Sequence, residues 1–234
     1  MKTFIIHVGT ATERMKHMQV QLKDKNLDTE FILRGNKEDL SDEIMEKYFT
    51  GELKYVSNGT SCVYKHLLAY TEIIKHQIEI ALVLEDDIFF HSNFMASLSK
   101  ITAEIKRDQL SNFVISLEDS SLTFVPRSEF VADKMLYKKL HGRMAGAYLI
   151  DLIGAQTILE EVKKNKCHFP IDWFHNYLSE KAKINILWLY KPVATQGSLE
   201  GSIKSTLDSK AFSKLKVISF RLQRIYKKLL YWFR

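Results

Sequence analysis

Apolar residues recur along the chain with the two periods that distinguish strands from helices. Runs of adjacent apolar or β-branched residues predict buried strands, and apolar positions spaced by three and four predict amphipathic helices. The runs predict strands at 3–8, 30–33, 80–84, 112–117, 122–125, 135–140, 145–150 and 184–190. The spacings predict helices at 12–22, 41–49 (with Ser41 as N-cap), 60–76, 93–105 and 154–163, and one beginning at 170–172. This alternation predicts an α/β sandwich around a mainly parallel central sheet.

The end of the chain carries a different pattern. From Phe212 onward, basic residues fall broadly opposite an apolar stripe, which consists of Leu215, Ile218, Leu222, Ile225, Leu229 and Trp232. A basic amphipathic helix with aromatic residues at its end is typical of a membrane-surface anchor. The alternative is a terminal helix that docks on the body with a solvated basic face. We therefore divide the chain into a body, 1–200, and a basic amphipathic tail, 201–234.

Charge separates the same two parts. The 234 residues include 34 Lys+Arg and 28 Asp+Glu, a formal net charge of +6. Residues 201–234 hold nine basic residues and one acidic residue, net +8, so residues 1–200 hold 25 and 27, net −2. A near-neutral body offers no extended basic surface and argues against nucleic acid as a partner. The charge of the tail favours an anionic membrane surface as its partner.

Composition and cysteine usage indicate a cytoplasmic globular protein. Apolar residues make up 46% of the chain and charged residues 26%, which excludes a disordered or multi-span membrane protein. Cys62 and Cys167 form no disulfide framework, as expected of a reducing compartment. The first apolar run, at 4–8, is too short for a signal peptide, and the sequence lacks a long apolar span. We expect peripheral attachment to the inner face of the cytoplasmic membrane.

Three adjacent carboxylates, Glu85, Asp86 and Asp87, follow the strand predicted at 80–84. Ligands of open α/β sheets bind at the carboxyl ends of strands, and adjacent carboxylates repel one another unless a cation compensates. Mg²⁺ and Mn²⁺ prefer such oxygen ligands together with substrate phosphates. Because side chains alternate, we predict that Glu85 and Asp87 bind the cation while Asp86 points the other way. A solvated acidic loop, or the site of a metal-dependent phosphatase or nuclease, remains open.

Further segments join this acidic turn in a recognisable order. They are Phe4–His7, Glu13–Met15, Gly59–Cys62 with His66, Leu84–Asp87, Gly146–Ile150 with Gly154 and Ala155, Pro170–Asp172, Pro192 and Gln196. In this order the chain resembles glycosyltransferase family 25, the bacterial lipopolysaccharide and lipooligosaccharide transferases, many of them β-galactosyltransferases. It departs from the family at His7-Val8, where Asn-Leu is usual, and at Lys65, where Ser is usual.

The resemblance implies a GT-A-like fold and an inverting, metal-dependent transfer from a nucleotide-sugar donor, UDP-galactose, to a glycolipid or oligosaccharide acceptor. It implies that His7 and Val8 contact the donor base and that Asp86 binds donor ribose or sugar hydroxyls. The cation, Mn²⁺ or Mg²⁺, would stabilise the UDP leaving group. Two other classes stay open: a metal-dependent phosphoester hydrolase and a catalytically silent nucleotide-sugar-binding protein at a membrane surface.

An inverting displacement needs a base opposite the leaving group. Asp172 is the first candidate, because it follows Pro170 at a helix start and matches a family segment. The alternatives for Asp172 are helix capping and acceptor binding. Glu118 and Asp119, after the strand predicted at 112–117, are the reserve candidates, and an exposed loop is the alternative for that pair.

Other candidates lie beside these segments. Arg14 is expected to meet the uracil ring or a phosphate, unless it is an exposed helix arginine. Gly146 and Tyr148 would shape the sugar pocket or relieve packing. Cys62 and His66, four residues apart on one helix, form a conceivable metal pair. Buried packing is the favoured interpretation of that pair, because no further Cys or His accompanies it.

Overall fold

Strands and helices alternate through the body, as the apolar periods predict. The computed structural model describes residues 1–200 and 214–233. The strands are β1 (Lys2–Ile6), β2 (Asp28–Ile32), β3 (Ile80–Glu85), β4 (Ile88–Phe90), β5 (Phe113–Ser116), β6 (Leu136–Lys139), β7 (Ala147–Asp151), β8 (Asn185–Leu189) and β9 (Ala194–Gln196). The helices are α1 (Thr12–Leu22), α2 (Asp42–Tyr48), α3 (Asn58–Lys75), α4 (Phe94–Arg107), α5 (Leu152–Asn165), α6 (Ile171–Glu180), α7 (Gly197–Glu200) and α8 (Lys214–Trp232).

Seven strands form the central sheet, in the order β2-β1-β3-β7-β5-β8-β6. Strand β1 pairs in parallel with β2 and β3, and β5 pairs in parallel with β8, whereas β7 and β6 are antiparallel to their neighbours. Five strands therefore run one way, and the prediction of a mostly parallel sheet in a mixed α/β fold is confirmed. Because β7 runs the other way, Gly146, the residue before β7, lies beside the end of β3, where Glu85 N–H donates to Gly146 O at 2.8 Å.

Helices cover both faces of the sheet. Along β3, Val83 packs with apolar residues of α3, α5 and α6, whereas Leu82 and Leu84 pack with those of α1 and α4. This alternation explains why β3 is apolar throughout, since a strand covered on both faces has no solvent side. Strand β3 ends at Glu85 and so places the acidic turn at the edge of the sheet.

Local signals predicted most element positions. Helix α1 has the predicted bounds, and Ser41 caps α2 by accepting a hydrogen bond from Ile44 N–H at 3.3 Å. The strand predicted at 122–125 is wrong. Leu122 has a left-handed φ of +53° there, and the segment is a loop whose apolar side chains are buried. The short pair β4 and β9 was not predicted, because three residues are too few to show a period.

Helix α8 contacts the body through one face. Arg224 and Lys228 pair with Asp119, and Tyr231 meets Phe124 with ring centroids 5.7 Å apart. The apolar side chains on its other side are more than half exposed; these are Ile218, Leu222, Ile225 and Leu229, which we name the α8 apolar stripe. Within the described residues, no helix combines the length and apolarity that a membrane span requires. The predicted boundary at 200/201, the start of the tail at Phe212 and its terminal Arg234 adjoin or fall on residues outside those described.

Candidate active site

A cleft of about 430 Å³ opens at the edge of the sheet where β1, β2 and β3 end. The start of α3 forms its opposite wall. Its lining residues are Ile6, His7, Val8, Thr10, Arg14, Asn36, Lys37, Glu38, Asn58, Ser61, Cys62, Lys65, Glu85 and Asp86. The predicted donor-contact residues His7, Val8, Arg14 and Asp86 thus share one cleft with Glu85. We name it the carboxyl-edge cleft.

Asp86 is fixed by two basic side chains. His7 Nδ1 lies 2.8 Å from Asp86 Oδ2, and the Arg14 guanidinium donates to Oδ1. Burial alone raises the pKa of the Asp86 carboxyl, but the hydrogen bonds and charge of His7 and Arg14 outweigh burial and hold it below its ordinary value. The other ring nitrogen of His7, Nε2, is buried without a hydrogen-bond partner. His7 therefore has one nitrogen available to a ligand in the cleft.

Glu85 faces a different set of groups. Its Oε2 accepts a hydrogen bond from Gln196 Nε2 at 3.3 Å, and its Oε1 lies 3.8 Å from His66 Nε2 and 3.9 Å from Cys62 Sγ. Burial, followed by the charges of Asp87 and Asp86, raises the pKa of Glu85 to about 8. A cation beside Glu85 would offset this repulsion and favour the ionised carboxylate.

Asp87 turns toward the segment that follows β9. Its carbonyl oxygen accepts from Gly197 N–H at 2.7 Å, and its Oδ2 accepts from Ser198 N–H at 3.1 Å. Its Oδ1 is buried and has no hydrogen-bond partner. Glu85 and Asp87 both contact 196–198, whereas Asp86 turns to β1 and α1. A buried carboxylate oxygen without a partner suits a divalent cation, for which oxygen ligands are preferred.

Gly146 leaves the space that Gln196 occupies. A Cβ atom at Gly146 would lie 2.7 Å from Gln196 Cγ and 2.8 Å from its Cδ, closer than packed atoms approach. The absence of a side chain at Gly146 therefore lets the Gln196 amide reach Glu85. For Gly146, the sequence predicts either a role in the sugar pocket or relief of packing. The contacts show that Gly146 permits the close approach of the Gln196 side chain, whose amide bonds to Glu85.

Tyr148 belongs to a buried chain of hydrogen bonds. His66 Nδ1 lies 2.7 Å from the Tyr148 hydroxyl, which lies 2.6 Å from that of Tyr70, which lies 2.9 Å from His175 Nε2. Burial lowers the pKa of both His66 and His175 to about 3, so both imidazoles are neutral at physiological pH. Tyr148 is thus connected to Glu85, which lines the cleft, through a hydrogen bond to His66.

The three candidate bases occupy different environments. Asp172, in the first turn of α6, is partly exposed and close enough to Cys62 and Glu85 to raise the pKa of both groups. Burial raises the pKa of Asp172 itself. Glu118 is fully buried and accepts from the N–H groups of Gly146 and Ala147.

Asp119 is also fully buried, and its side chain bonds to β9 and α8. It accepts hydrogen bonds from Thr195 Oγ1 at 2.7 Å and from Arg224 Nε at 2.8 Å. The acidic pair at the end of β5 is therefore split, with Glu118 turned to the start of β7 and Asp119 turned to α8. Neither carboxylate lies in an exposed loop.

Several cleft residues were not predicted. Asn36, Lys37 and Glu38 follow β2, so the rule that ligands meet strand ends would have found them. Lys65 spans from α3 to the end of β2, where its ammonium donates to the carbonyls of Ile32, Leu33 and Arg34. Gln196 matched a family segment, but only the fold brings it to Glu85. Likewise, Glu85 is a possible third metal ligand beside Cys62 and His66, and only the fold brings it near them.

Several solved structures are similar to this chain at low sequence identity. The inositol-1-phosphate CTP transferase from T. maritima is 10% identical, with a TM-score of 0.46 over 95% of this chain and 95% of that chain. The mannose-1-phosphate geranyltransferase from Thermus thermophilus is 9% identical, with a TM-score of 0.43 over 87% and 79%. A UDP-glucose pyrophosphorylase complexed with UDP-glucose is 12% identical, with a TM-score of 0.43 over 82% and 90%.

The family itself is shown by sequence. No curated protein matches the chain. The sequence model of glycosyltransferase family 25, described as an LPS biosynthesis protein, matches residues 1–175, three quarters of the chain. That range contains the carboxyl-edge cleft, the acidic turn and Asp172, while Pro192 and Gln196 lie beyond it. The chain therefore belongs to glycosyltransferase family 25.

Proposed function

We propose that this protein is an inverting, cation-dependent glycosyltransferase of GT-A type that moves galactose from UDP-galactose to a lipopolysaccharide or lipooligosaccharide saccharide. The observation that carries the proposal is the convergence of His7 and Arg14 with Glu85 and Asp86 of the acidic turn on one cleft at the carboxyl edge of the sheet. Nucleotide ligands of open α/β sheets bind at this edge. Membership of the family supports sugar transfer rather than phosphoester hydrolysis.

The cleft offers complementary groups to a nucleoside diphosphate sugar. His7 Nε2 is a polar atom without a protein partner at the base of the cleft. The basic side chains of Arg14 and Lys37 line the same cleft and suit the charge of a diphosphate. Asp86 holds His7 and Arg14 in place, so we assign it a positioning role in addition to contact with donor hydroxyls.

Glu85 and Asp87 would hold the divalent cation, Mn²⁺ or Mg²⁺. When bound, the cation would neutralise charge that develops on the leaving diphosphate. Gln196 orients Glu85, and the backbone N–H of Ser198 orients Asp87. These contacts leave Asp87 Oδ1 without a hydrogen-bond partner, so this oxygen is available to the cation.

Asp172 is the base of the proposed reaction. The acceptor hydroxyl oxygen forms a bond to the anomeric carbon while the bond from that carbon to the diphosphate oxygen breaks. The hydroxyl proton passes to the Asp172 carboxylate, and UDP leaves with the bonding electron pair. Of the three candidate carboxylates, Glu118 and Asp119 are fully buried and Asp172 is partly exposed, which supports this choice.

The α8 apolar stripe supports attachment to the membrane that holds a glycolipid acceptor. Four large apolar side chains at helical spacing are exposed on one side of α8. Basic residues near an anionic leaflet add about 1 kcal/mol each. We therefore place the enzyme at the inner face of the cytoplasmic membrane.

The test is transfer from a panel of UDP- and GDP-sugars to a glycolipid acceptor with and without Mn²⁺. UDP-galactose with Mn²⁺ should give product, and Asp87→Asn, which keeps the size of the side chain, should lower kcat by at least about 100-fold. Asp28→Asn, at an exposed aspartate of β2, is the matched control and should leave the rate unchanged. Undiminished transfer by Asp87→Asn would contradict the cation assignment. Phosphate release without a glycosylated product would indicate a hydrolase instead.

A further inference from the structure

Cys62 and His66 lie one helical turn apart on α3 and face the end of β3. Their ligand atoms and a Glu85 carboxylate oxygen lie within 4.8 Å of one another. Glu85 Oε1 is 3.9 Å from Cys62 Sγ and 3.8 Å from His66 Nε2. A thiol, an imidazole and a carboxylate from two separate elements thus converge on one point.

The imidazole of His66 is aimed into this point without a partner. The ring is fully buried, and its Nε2 makes no hydrogen bond, whereas its Nδ1 is held by Tyr148. A buried polar atom without a partner is costly, and such atoms are rare in folded proteins. The unsatisfied nitrogen indicates that a ligand belongs between His66, Cys62 and Glu85.

We propose that Cys62, His66 and Glu85 form a binding site for a second, zinc-type divalent cation, which shares Glu85 with the proposed donor cation site but does not include Asp87. Thiolate, imidazole and carboxylate are the ligands that zinc takes in proteins. Zinc bond lengths at tetrahedral angles place such ligand atoms roughly 3.4–3.6 Å apart. The two distances to Glu85 exceed this by a few tenths of an ångström, and the Cys62 and His66 ligand atoms lie within 4.8 Å of each other, so side-chain rotations would close the site around an ion.

The fourth coordination position opens to the carboxyl-edge cleft. Cys62 and Glu85 both line that cleft, so an ion can enter from solvent and a water molecule can complete its coordination. On binding, the Cys62 thiol releases its proton to solvent and the sulfur lone pair forms the bond to the ion. No redox change is involved.

The buried tyrosines can hold His66 in the imidazole tautomer that binds the ion. Three hydrogen bonds join His66, Tyr148, Tyr70 and His175 in a row, and each tyrosine has one proton to donate. The row therefore has two consistent directions. In one direction His66 Nδ1 donates to Tyr148, and Nε2 carries a free lone pair. Ion binding requires this direction, in which Tyr70 donates to His175. Tyr148 is thus a positioning residue for the site.

Titration of the full chain with Co²⁺ tests the proposal, because cobalt replaces zinc and its bond to a thiolate gives a characteristic near-ultraviolet charge-transfer band. The wild-type chain should develop this band and saturate at about one equivalent. Cys62→Ser should abolish the band. Cys167→Ser is the matched control, since Cys167 is the other cysteine, buried away from Glu85 beside Phe169, and it should retain the band.

The absence of a thiolate band in the wild-type chain, or an equal band in Cys62→Ser, would overturn the proposal. Circular dichroism of each variant checks that it is folded. The variant Asp87→Asn tests this site independently of the proposed function. It should keep the cobalt–thiolate band while its transfer rate falls. If Asp87→Asn abolished the band, the two cation sites would be one, and the proposal would fail.

A second variant tests the tautomer. Tyr148→Phe keeps all three ligands but removes the group that holds His66 Nδ1. The cobalt affinity should fall about 10–100-fold, as for other residues that orient metal ligands, while the thiolate band keeps its energy. An unchanged affinity would refute the positioning role of Tyr148.

Discussion

Arg224 of α8 is paired with the fully buried carboxylate of Asp119, with Nη2 2.7 Å from Oδ2. The same guanidinium donates to Thr195 Oγ1 at 3.1 Å, and Thr195 in turn donates to Asp119. One cation of the tail therefore satisfies an acid at the end of β5 and a hydroxyl of β9. The basic character of the tail serves in part to attach α8 to the body.

Replacing Arg224 with Met should destabilise the protein by about 3 kcal/mol. Breaking a buried ion pair from one side leaves a poorly compensated charge, because the Thr195 hydroxyl and the more distant Lys228 ammonium are then the direct contacts of the Asp119 carboxylate among the described side chains. Urea unfolding of the full chain measures the loss. Lys227→Met is the control on the same helix, since Lys227 forms no ion pair among the described residues, and it should cost less than about 0.5 kcal/mol. Equal stability of the two variants would contradict the prediction.

Local patterns predicted the elements that have a clear period and the edge at which the site lies. The apolar run before Glu85 requires a strand covered on both faces, so its end had to present the acidic turn at an edge. Glu118 and Asp119 show what local pattern cannot supply. As adjacent acids after β5 they are alike in sequence, yet one accepts from the start of β7 and the other from α8.

The tail shows the same limit in another way. Its apolar stripe and basic residues predict two faces, but period alone does not say which face meets the body. The outcome depends on Asp119 and Phe124, which are more than a hundred residues away along the chain. Likewise, the metal interpretation of Cys62 and His66 depended on Glu85, a ligand that only the fold brings near.

Gly146→Ala should displace the Gln196 side chain. The added methyl group would overlap Gln196, so we expect a loss of about 1–3 kcal/mol in the free energy of unfolding and a higher Mn²⁺ requirement for transfer. Gly142→Ala is the control, because its nearest neighbour would be Asn176 Oδ1 at 3.6 Å, an ordinary contact.

The double variant Gly146→Ala/Gln196→Ala identifies the cause. Removing the Gln196 side chain restores the space, so the double variant should be more stable than the sum of the two single effects. If the losses in the free energy of unfolding of the two single variants, measured by urea unfolding, simply add in the double variant, then Gly146 is not required to make room for Gln196. The Mn²⁺ requirement should stay high in the double variant, because Glu85 still lacks its hydrogen bond.

Lys65 should make stability depend on pH in the alkaline range. Burial lowers the pKa of Lys65 to about 8, whereas an unfolded lysine has a pKa of about 10.4. Between these values the unfolded chain binds a proton that the folded chain does not, so the free energy of unfolding should rise with pH, by up to about 3 kcal/mol. Below pH 8 the buried charge opposes folding, and that cost is constant.

Lys65→Met isolates this contribution. The variant lacks the titrating group, so its unfolding free energy, measured by urea titration from pH 7 to about 10, should rise less steeply than that of the wild type. Lys75→Met, on the exposed end of α3, is the control and should keep the wild-type slope. Parallel pH profiles for wild type and Lys65→Met would contradict the shifted pKa.

The α8 apolar stripe should bind anionic vesicles. Leu222 and Leu229 are 62% and 55% exposed, so a charge at either position leaves the packing of the body intact. Inserting one leucine into a bilayer interface is worth about 2 kcal/mol, and Leu222→Glu should therefore weaken co-sedimentation with phosphatidylglycerol vesicles at least tenfold. Val20→Glu introduces the same charge at a 70% exposed position of α1 and should leave vesicle binding unchanged. Transfer to a soluble acceptor should survive both substitutions. Equal vesicle binding by wild type and Leu222→Glu would remove the stripe from the membrane contact and leave α8 as a docked structural helix.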